Sequence, residues 1–440
     1  MLLETHHQNT AAEALKLARD LGATQAEVHL NIEEGFNINA RNQDVETLEH
    51  SFEKNLGITV YFDKKTGSAV SSDLSPAALK AAVEKACSIA RFTGNDPYAG
   101  LADPSLFATQ FSDLDLYHPW NITPTEAIDL ALECEAKAYA LDKRVKQVDE
   151  VGVSTRNYST IYGNSLGFLQ GYKASQSFMS CSIIAEENNQ MHRGHDYTIA
   201  RDGTQLDSPT VLAERSVEKA VRRIGAYQIK TTRAPIIFEA PLARGLIANF
   251  IKAISGGSLY RKSSFLVDHL GRAVFPDFVQ IHQRPHLIGG LGSANYDSEG
   301  VATQDLDYIK DGILQHYVLG SYSARKLGMQ STGNANGVHN LFMNHSDLDL
   351  KQLLKKMDRG LLVTELMGQG VNLMTGDYSR GAFGFWVENG EIQHPVEEIS
   401  IAGNLKDMLL NLVAVANDVD KRSNIQTGSI LLNEMMIAGS

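Results

Sequence analysis

Glycine spacing after residue 234 restricts the fold more than any other feature of this 440-residue chain. Short apolar runs there alternate with tight-turn sequences, among them Gly289-Gly290, Asp311-Gly312, Gly368-Gln369-Gly370, Thr375-Gly376-Asp377 and Asn389-Gly390. A two-residue hairpin needs positive φ at its central positions, which Asn-Gly accepts with little strain. Asn389-Gly390 stands between Gly384-Phe385-Trp386-Val387 and Glu391-Ile392-Gln393, two runs rich in strand-forming residues. The pattern predicts a glycine-rich, mainly antiparallel β domain over 229–440, carrying a few helices.

Upstream the order of elements is helix, strands, helix, and it occurs twice. Thr10-Ala11-Ala12-Glu13 has the form of a capping box, followed by Leu15, Leu17, Ala18 and Leu21 as an apolar stripe and Gly22 as the stop. Extended stretches at 26–40 and 47–71 come next, the second folding into a hairpin around Asp63-Lys64-Lys65-Thr66-Gly67. Ser75-Pro76 then supplies a cap and a first-turn proline for a helix to about residue 90. Loop-like sequence at 95–100 and 113–119 separates this unit, residues 1–115, from a second at 116–228. There Thr123-Pro124 opens a helix to about 141, extended runs fill 145–184, and a helix from Pro209 to about 223 closes the unit. No residue pattern repeats between the two units, so their likeness rests on element order. The fold class is α+β.

Charge disfavours one class of partner. The formal net charge is −12, and such a surface repels a phosphate backbone unless basic residues cluster. The densest basic groups are Lys351, Lys355, Lys356 and Arg359, then Arg215, Lys219, Arg222 and Arg223. Both fall on predicted helices with acids interleaved and read as solvated faces, so no direct contact with nucleic acid is expected. Three cysteines, Cys87, Cys134 and Cys181, have no paired spacing, which suits a reducing compartment. The sequence shows neither a secretory leader nor a run of ~18 apolar residues. A soluble, cytoplasmic protein that touches no membrane is expected.

The motifs spell out no self-sufficient active site. The zinc signature HExxH is absent. His282 and His286 have i, i+4 spacing, but Pro285 breaks the helix that would put both on one face. His192, His195 and Asp196 are the better ligand cluster on paper, next to Glu186-Glu187-Asn188-Asn189, which reads as a hairpin tip. A nucleophile elbow and a phosphate loop are also absent; Gly290-Leu291-Gly292 begins a dinucleotide-type pattern that fails at Asn295. Asp297, Glu299, Asp305 and Asp307 offer carboxylates, for which turn caps and a solvated loop are the simpler reading.

Longer segments carry a resemblance. They are VTELMGQG at 363–370, TGDYSRG at 375–381, GFWVENG at 384–390 and IAGN at 401–404, with DSEG at 297–300, KDGI at 310–313, YSARK at 322–326 and SNI at 423–425. Upstream, GITV at 57–60, SDLSP at 72–76, Gly163-Asn164 and AEEN at 185–188 fit as well. Over nearly its whole length the chain resembles the TldD/PmbA family of peptidases, and within it the PmbA/TldE branch that has no zinc site.

That resemblance implies specific residues. Catalytic members carry HExxxH on a helix of the C-terminal domain and a late cysteine, and these bind zinc. With Tyr260-Arg261-Lys262-Ser263-Ser264 as anchor, the helix falls at 244–255. The two histidines then fall on Ala248 and Ala253, the glutamate on Asn249, and the cysteine near Thr427. Alanine has no donor atom and asparagine is no general base. No cofactor is therefore expected on this chain, and zinc is expected in a TldD-like paralogous partner. Leu246, Ile247, Phe250, Ile251 and Ile254 give the helix an apolar face, and Lys252 would set a positive charge beside the emptied positions.

The implied activity is proteolysis of small unfolded peptides, including peptide precursors and antitoxin-type proteins, with this chain as the non-catalytic subunit. Extended substrate would add as a strand to the glycine-rich sheet, touching Gly368, Gly370, Asp377, Tyr378, Ser379 and Arg380. Two alternatives stay open: a self-sufficient metallopeptidase using His192, His195 or His339, and a protein-binding regulator of DNA gyrase. Pairing of the isolated chain with itself, as a homodimer, also stays open.

Overall fold

The computed structural model describes residues 5–440. The first unit runs α1 (Thr5–Asp20), β1 (Gln25–Arg41), β2 (Asp44–Phe62), β3 (Lys65–Ser71) and α2 (Pro76–Phe92). The second runs α3 (Pro124–Leu141), β4 (Val145–Asn164), β5 (Leu169–Glu187), β6 (Gln190–Ala200) and α4 (Pro209–Val221). All six strands form one antiparallel sheet in the order β3-β2-β1-β4-β5-β6. The first strands of the two units thus pair at its centre, from Glu27↔Asn164 to Ala40↔Val151. An approximate twofold axis relates the units there.

The repeat extends to residue chemistry that element order did not reveal. In each unit a glycine on the third strand admits the closing helix. A Cβ at Gly67 would collide with the backbone of Ala86 and Ala90 on α2, and one at Gly194 with Ser216 and Ala220 on α4. Each of these helices opens alike, with Ser75 or Ser208 accepting from the N3 amide ahead of a proline. Val28, Leu30 and Ile58 of the sheet share a core with Val83 of α2, and Ile38, Val151 and Ile183 share one with Leu212 of α4.

Thr123 and Glu126 make the reciprocal capping box that opens α3, but the one expected at Thr10 is not a cap. α1 already starts at Thr5, and the Thr10 hydroxyl donates to the His6 carbonyl one turn back, the usual alternative for a threonine inside a helix.

The C-terminal domain contains β7 (Thr232–Phe238), α5 (Ala240–Ala253), α6 (Gly256–Tyr260), β8 (Ile281–Gln283), β9 (Leu306–Lys310), β10 (Ile313–Leu314), α7 (Ser321–Leu327), β11 (Leu341–Met343) and α8 (Leu350–Met357). It continues with β12 (Gly360–Met367), β13 (Asp377–Glu388), β14 (Glu391–Asn404), α9 (Leu405–Leu410), β15 (Leu412–Val415), β16 (Ile425–Gln426) and β17 (Ile430–Ala438). Asn389 and Gly390 both have positive φ and join β13 to β14 as expected. The larger sheet has the order β14-β13-β12-β7-β17-β15, and β14 also pairs with β17. Ser400, Ile401 and Ala402 bind against Ala438, Ile437 and Met436, closing five strands into a ring. A smaller sheet, β10-β9-β8-β11-β16, lies beside it. Both are antiparallel except where β12 meets β7 and β11 meets β16. One apolar core joins ring, α5 and small sheet through Phe238, Phe250, Tyr308, Leu341 and Leu361. Among the described residues no helix is long and apolar enough to cross a membrane.

Candidate functional site

α5 begins where β7 ends, with a proline in its first turn and Glu239 at the cap position, the carboxylate making no cap bond. Leu246, Ile247, Phe250 and Ile251 face the core, and Phe250 meets Phe275 edge-on at 5.1 Å. Ala248 and Asn249 are half-buried, Ala253 is fully buried, and Lys252 is exposed. The helix packs against β16, next to Thr427, whose buried hydroxyl donates to the Gly428 carbonyl at 3.2 Å. The two segments singled out for the family's zinc ligands therefore lie side by side. Their donors are one amide and one committed hydroxyl, a set that does not suit zinc.

The other histidines do not assemble either. Strand alternation turns His192 inward and His195 outward on β6, so the two point to opposite faces of the sheet. Asn188 and Asn189, both with positive φ, form the expected hairpin tip beside them. His339 lies in the C-terminal domain, 3.2 Å from the Gly292 carbonyl. Among the described residues no group of three or more His, Cys, Asp or Glu side chains is placed to hold a metal.

The segment from Gly368 to Arg380 differs from its expected role. Gly368 has a φ of +78° at an exposed turn, and a Cβ at Gly370 would collide with the Ser379 carbonyl. Ser379 N–H donates to the Gly370 carbonyl at 2.7 Å, and Asn372 N–H to the Asp377 carbonyl at 2.8 Å. On its other side β13 pairs with β14, from Asp377↔Asn404 to Ala382↔Ile399. Both edges of β13 are thus taken over residues 377–380, so no strand adds to β13 there. Asp377 and Ser379 face solvent, but Tyr378 is only 3 % exposed. Its ring stands edge-on to Phe238, and burial pushes its hydroxyl up to about 12.

A cleft of about 300 Å³ lies instead between the second unit and the C-terminal domain. Arg193, Lys219, Arg222 and Arg223 line one wall, and Glu239 and Glu365 the other. Arg222 stands 3.5 Å from Glu239, and Arg223 2.5 Å from Glu365. Arg193 is bound by Asp149, and Lys219 is 3.2 Å from Asp196. Every charged group on these walls is therefore in an ion pair. Burial raises the Glu239 carboxyl above its ordinary range, against the pull of Arg222 and Lys219. The basic run on α4, expected to be a solvated face, is a correction: it is a docking face, because its acidic partners come from other elements. Arg215 and Lys219 both reach Asp196 at 3.2 Å, and Asp196 also accepts from Arg422 at 2.6 Å.

The comparisons agree with this architecture. Three consecutive domain descriptions match: PmbA/TldA metallopeptidase domain 1 over residues 26–90, the central domain over 117–224 and the C-terminal domain over 231–439. The metalloprotease PmbA of Escherichia coli O157:H7 is 48% identical over 430 residues, 97% of this chain and 96% of that protein. A crystal structure from Bacteroides thetaiotaomicron, named as a candidate modulator of DNA gyrase, is 25% identical with a TM-score of 0.95, covering 100% of both chains. TldE from Thermococcus kodakarensis shares the fold, with a TM-score of 0.86 at 21% identity over 98% of this chain and 100% of that one. The chain belongs to the PmbA/TldD metallopeptidase family.

Proposed function

We propose that this chain is the non-catalytic subunit of a heteromeric zinc peptidase, working with a TldD-like paralogue on short, unfolded peptides. One observation carries the reading. α5 and the Thr427 segment are packed together as a ligand-bearing pair would be, yet Ala248, Asn249, Ala253 and Thr427 supply no set that could hold zinc. Zinc would then belong to the partner, where it would polarise a carbonyl and activate water. This chain contributes shape and polar contacts. Its polar cleft at Arg222, Arg223, Glu239 and Glu365 offers hydrogen bonds to an extended chain. Gly368, Gly370, Asp377, Ser379 and Arg380 remain candidate contacts, those on β13 through their surface and not through strand addition.

The test assays each chain alone and both together against an unstructured peptide, with and without a chelator. Cleavage is expected from the mixture only, and the chelator should abolish it. Full cleavage by the paralogue alone, unchanged on adding this chain, would refute the partnership. Chelator-sensitive cleavage by this chain alone would show that it carries a metal site of its own.

A further inference from the structure

We propose that the cavity between β5 and the segment 111–117 binds the amino-terminal end of a peptide whose first residue is large and apolar. β6 covers β5 only over 177–187, and at Ser175 the segment 111–117 becomes its neighbour. Three contacts pin that segment. Ser112 exchanges two hydrogen bonds with the Asn295 amide, at 3.2 and 2.9 Å. Gly289 N–H donates to the Leu114 carbonyl at 2.8 Å, and Ser175 N–H to the Leu116 carbonyl at 2.9 Å. Before Ser175 a cavity of about 330 Å³ separates the two, bounded also by Ala294, Asn295 and Tyr296. That volume lies within the ~300–1,000 Å³ of ligand pockets.

Three groups on its walls are unmet. β4 and β5 pair here without a register shift, and Ser175 N–H points away from β4. Main-chain groups alternate sides along an antiparallel strand, so Gly171 N–H and C=O point the same way, toward the cavity. Among the described residues nothing bonds them. Tyr296 lines the cavity and is 7% exposed, yet its hydroxyl has no partner among the described residues, and a buried hydroxyl is costly to leave unbonded. The Asp113 carboxylate accepts from Asp115 N–H at 2.9 Å and has no cation beside it among the described residues. Asp115 itself is engaged by His118 at 3.0 Å, and the Lys173 ammonium lies over the Tyr117 ring at 5.6 Å.

The amino end of a peptide answers all three. Its main-chain amide and carbonyl match the acceptor and donor of Gly171, as one residue of an added strand does. A peptide carbonyl accepts from the Tyr296 hydroxyl, and the terminal ammonium takes the Asp113 carboxylate. Phe111 and Tyr172 stand edge-on to Tyr296 at 6.1 and 6.3 Å, an aromatic wall for an apolar or aromatic side chain. Phe111 is 43% exposed at the mouth. Charge chooses which end of the peptide enters: Asp113 and Asp115 attract an ammonium and repel a carboxylate, and the net charge of −12 acts in the same direction.

This inference goes beyond the peptidase partnership and fails separately from it: cleavage by the mixture decides that reading, and binding by this chain alone decides this one. Calorimetric titration of the full chain with phenylalanyl-glycyl-glycinamide, and with its N-acetyl form, is the measurement. The free amine should bind about tenfold more tightly than the acetylated peptide. Asp113→Asn keeps the acceptor for Asp115 N–H and should abolish that preference. Tyr296→Phe should weaken both peptides about fivefold. It should also unfold no earlier than wild type, because its hydroxyl has no partner to lose. No binding of the free amine at ~5 mM, equal affinity for the two peptides, or indifference to both substitutions would overturn the proposal. So would a loss of thermal stability in Tyr296→Phe, which would show that the hydroxyl is already bonded within the chain.

Discussion

In the first unit of the N-terminal sheet, the fastening to the C-terminal domain is made mostly to main-chain carbonyls, with one carboxylate beside them. Arg325 donates to Tyr98 at 2.7 Å, Leu101 at 3.0 Å and Gly100 at 2.7 Å, and the Tyr322 hydroxyl reaches Asp96 at 2.7 Å. In the second unit carboxylates carry more of the fastening: Asp196, held also by Arg215 and Lys219 of its own unit, binds Arg422, and Glu365 binds Arg223, while Arg201 reaches the Gly290 and Leu291 carbonyls. Two units with the same element order are thus joined to one body by different chemistry. A carbonyl does not titrate and a carboxylate does, so acid should loosen the second junction, which relies more on carboxylates, before the first. The repeat conserves how each unit packs on itself and leaves free how each meets its neighbour.

The largest effect should come from Asp196→Ala. Its side chain is 2% exposed among three cations, and removing one partner of a buried ion cluster costs ~3–5 kcal/mol. Urea unfolding measures it. Burial opposes ionisation of Asp196, but Lys219 and Arg422 outweigh it and hold the carboxyl below its usual range. Its stabilisation is therefore present above the unfolded carboxylate pKa, near ~3.9, and is lost as pH falls through the depressed folded value. The variant should accordingly lose part of the acid sensitivity of wild type below about pH 4.

Gly67→Val and Gly194→Val sharpen the comparison from the other side. Each forces a side chain into helix backbone, and each should cost about 3 kcal/mol. Matched losses would confirm the internal equivalence, whereas a loss at only one would break it.

Arg325→Ala removes three carbonyl contacts from the first junction and should cost about 2 kcal/mol. Unlike the Asp196 effect, this loss should not change as pH falls below about 4. Smallest are the caps: Ser75→Ala and Ser208→Ala should each cost about 1 kcal/mol by thermal unfolding.

How far the sequence could be read follows the range of the interactions. Thr123 with Glu126, Ser75-Pro76 and Asn389-Gly390 act on neighbours a few residues away, and each sits where its chemistry predicts. The apolar face of α5 is equally local, and it does face the core. Gly67 and Gly194 carry the repeat, but their meaning appears only once a helix is docked against them. The run Arg215, Lys219, Arg222, Arg223 looked solvated because Asp196, Glu239 and Glu365 lie on other elements. Tyr378 looked available because nothing near it in sequence announces Phe238 as its neighbour.

The closed ring of the C-terminal domain has a consequence for assembly during synthesis. β7 is its first strand, yet its partners on either side are β12 and β17, so it emerges long before anything can pair with it. β17 contacts both β7 and β14 and is the last stave to arrive. Until it does, the domain exposes unpaired edges that a chaperone could hold, and its folding must wait on distant contacts, which slows it. The N-terminal sheet faces no such delay, because its last strand, β6, is made well before β7. One half of the molecule can therefore be finished while the other is still an open ribbon.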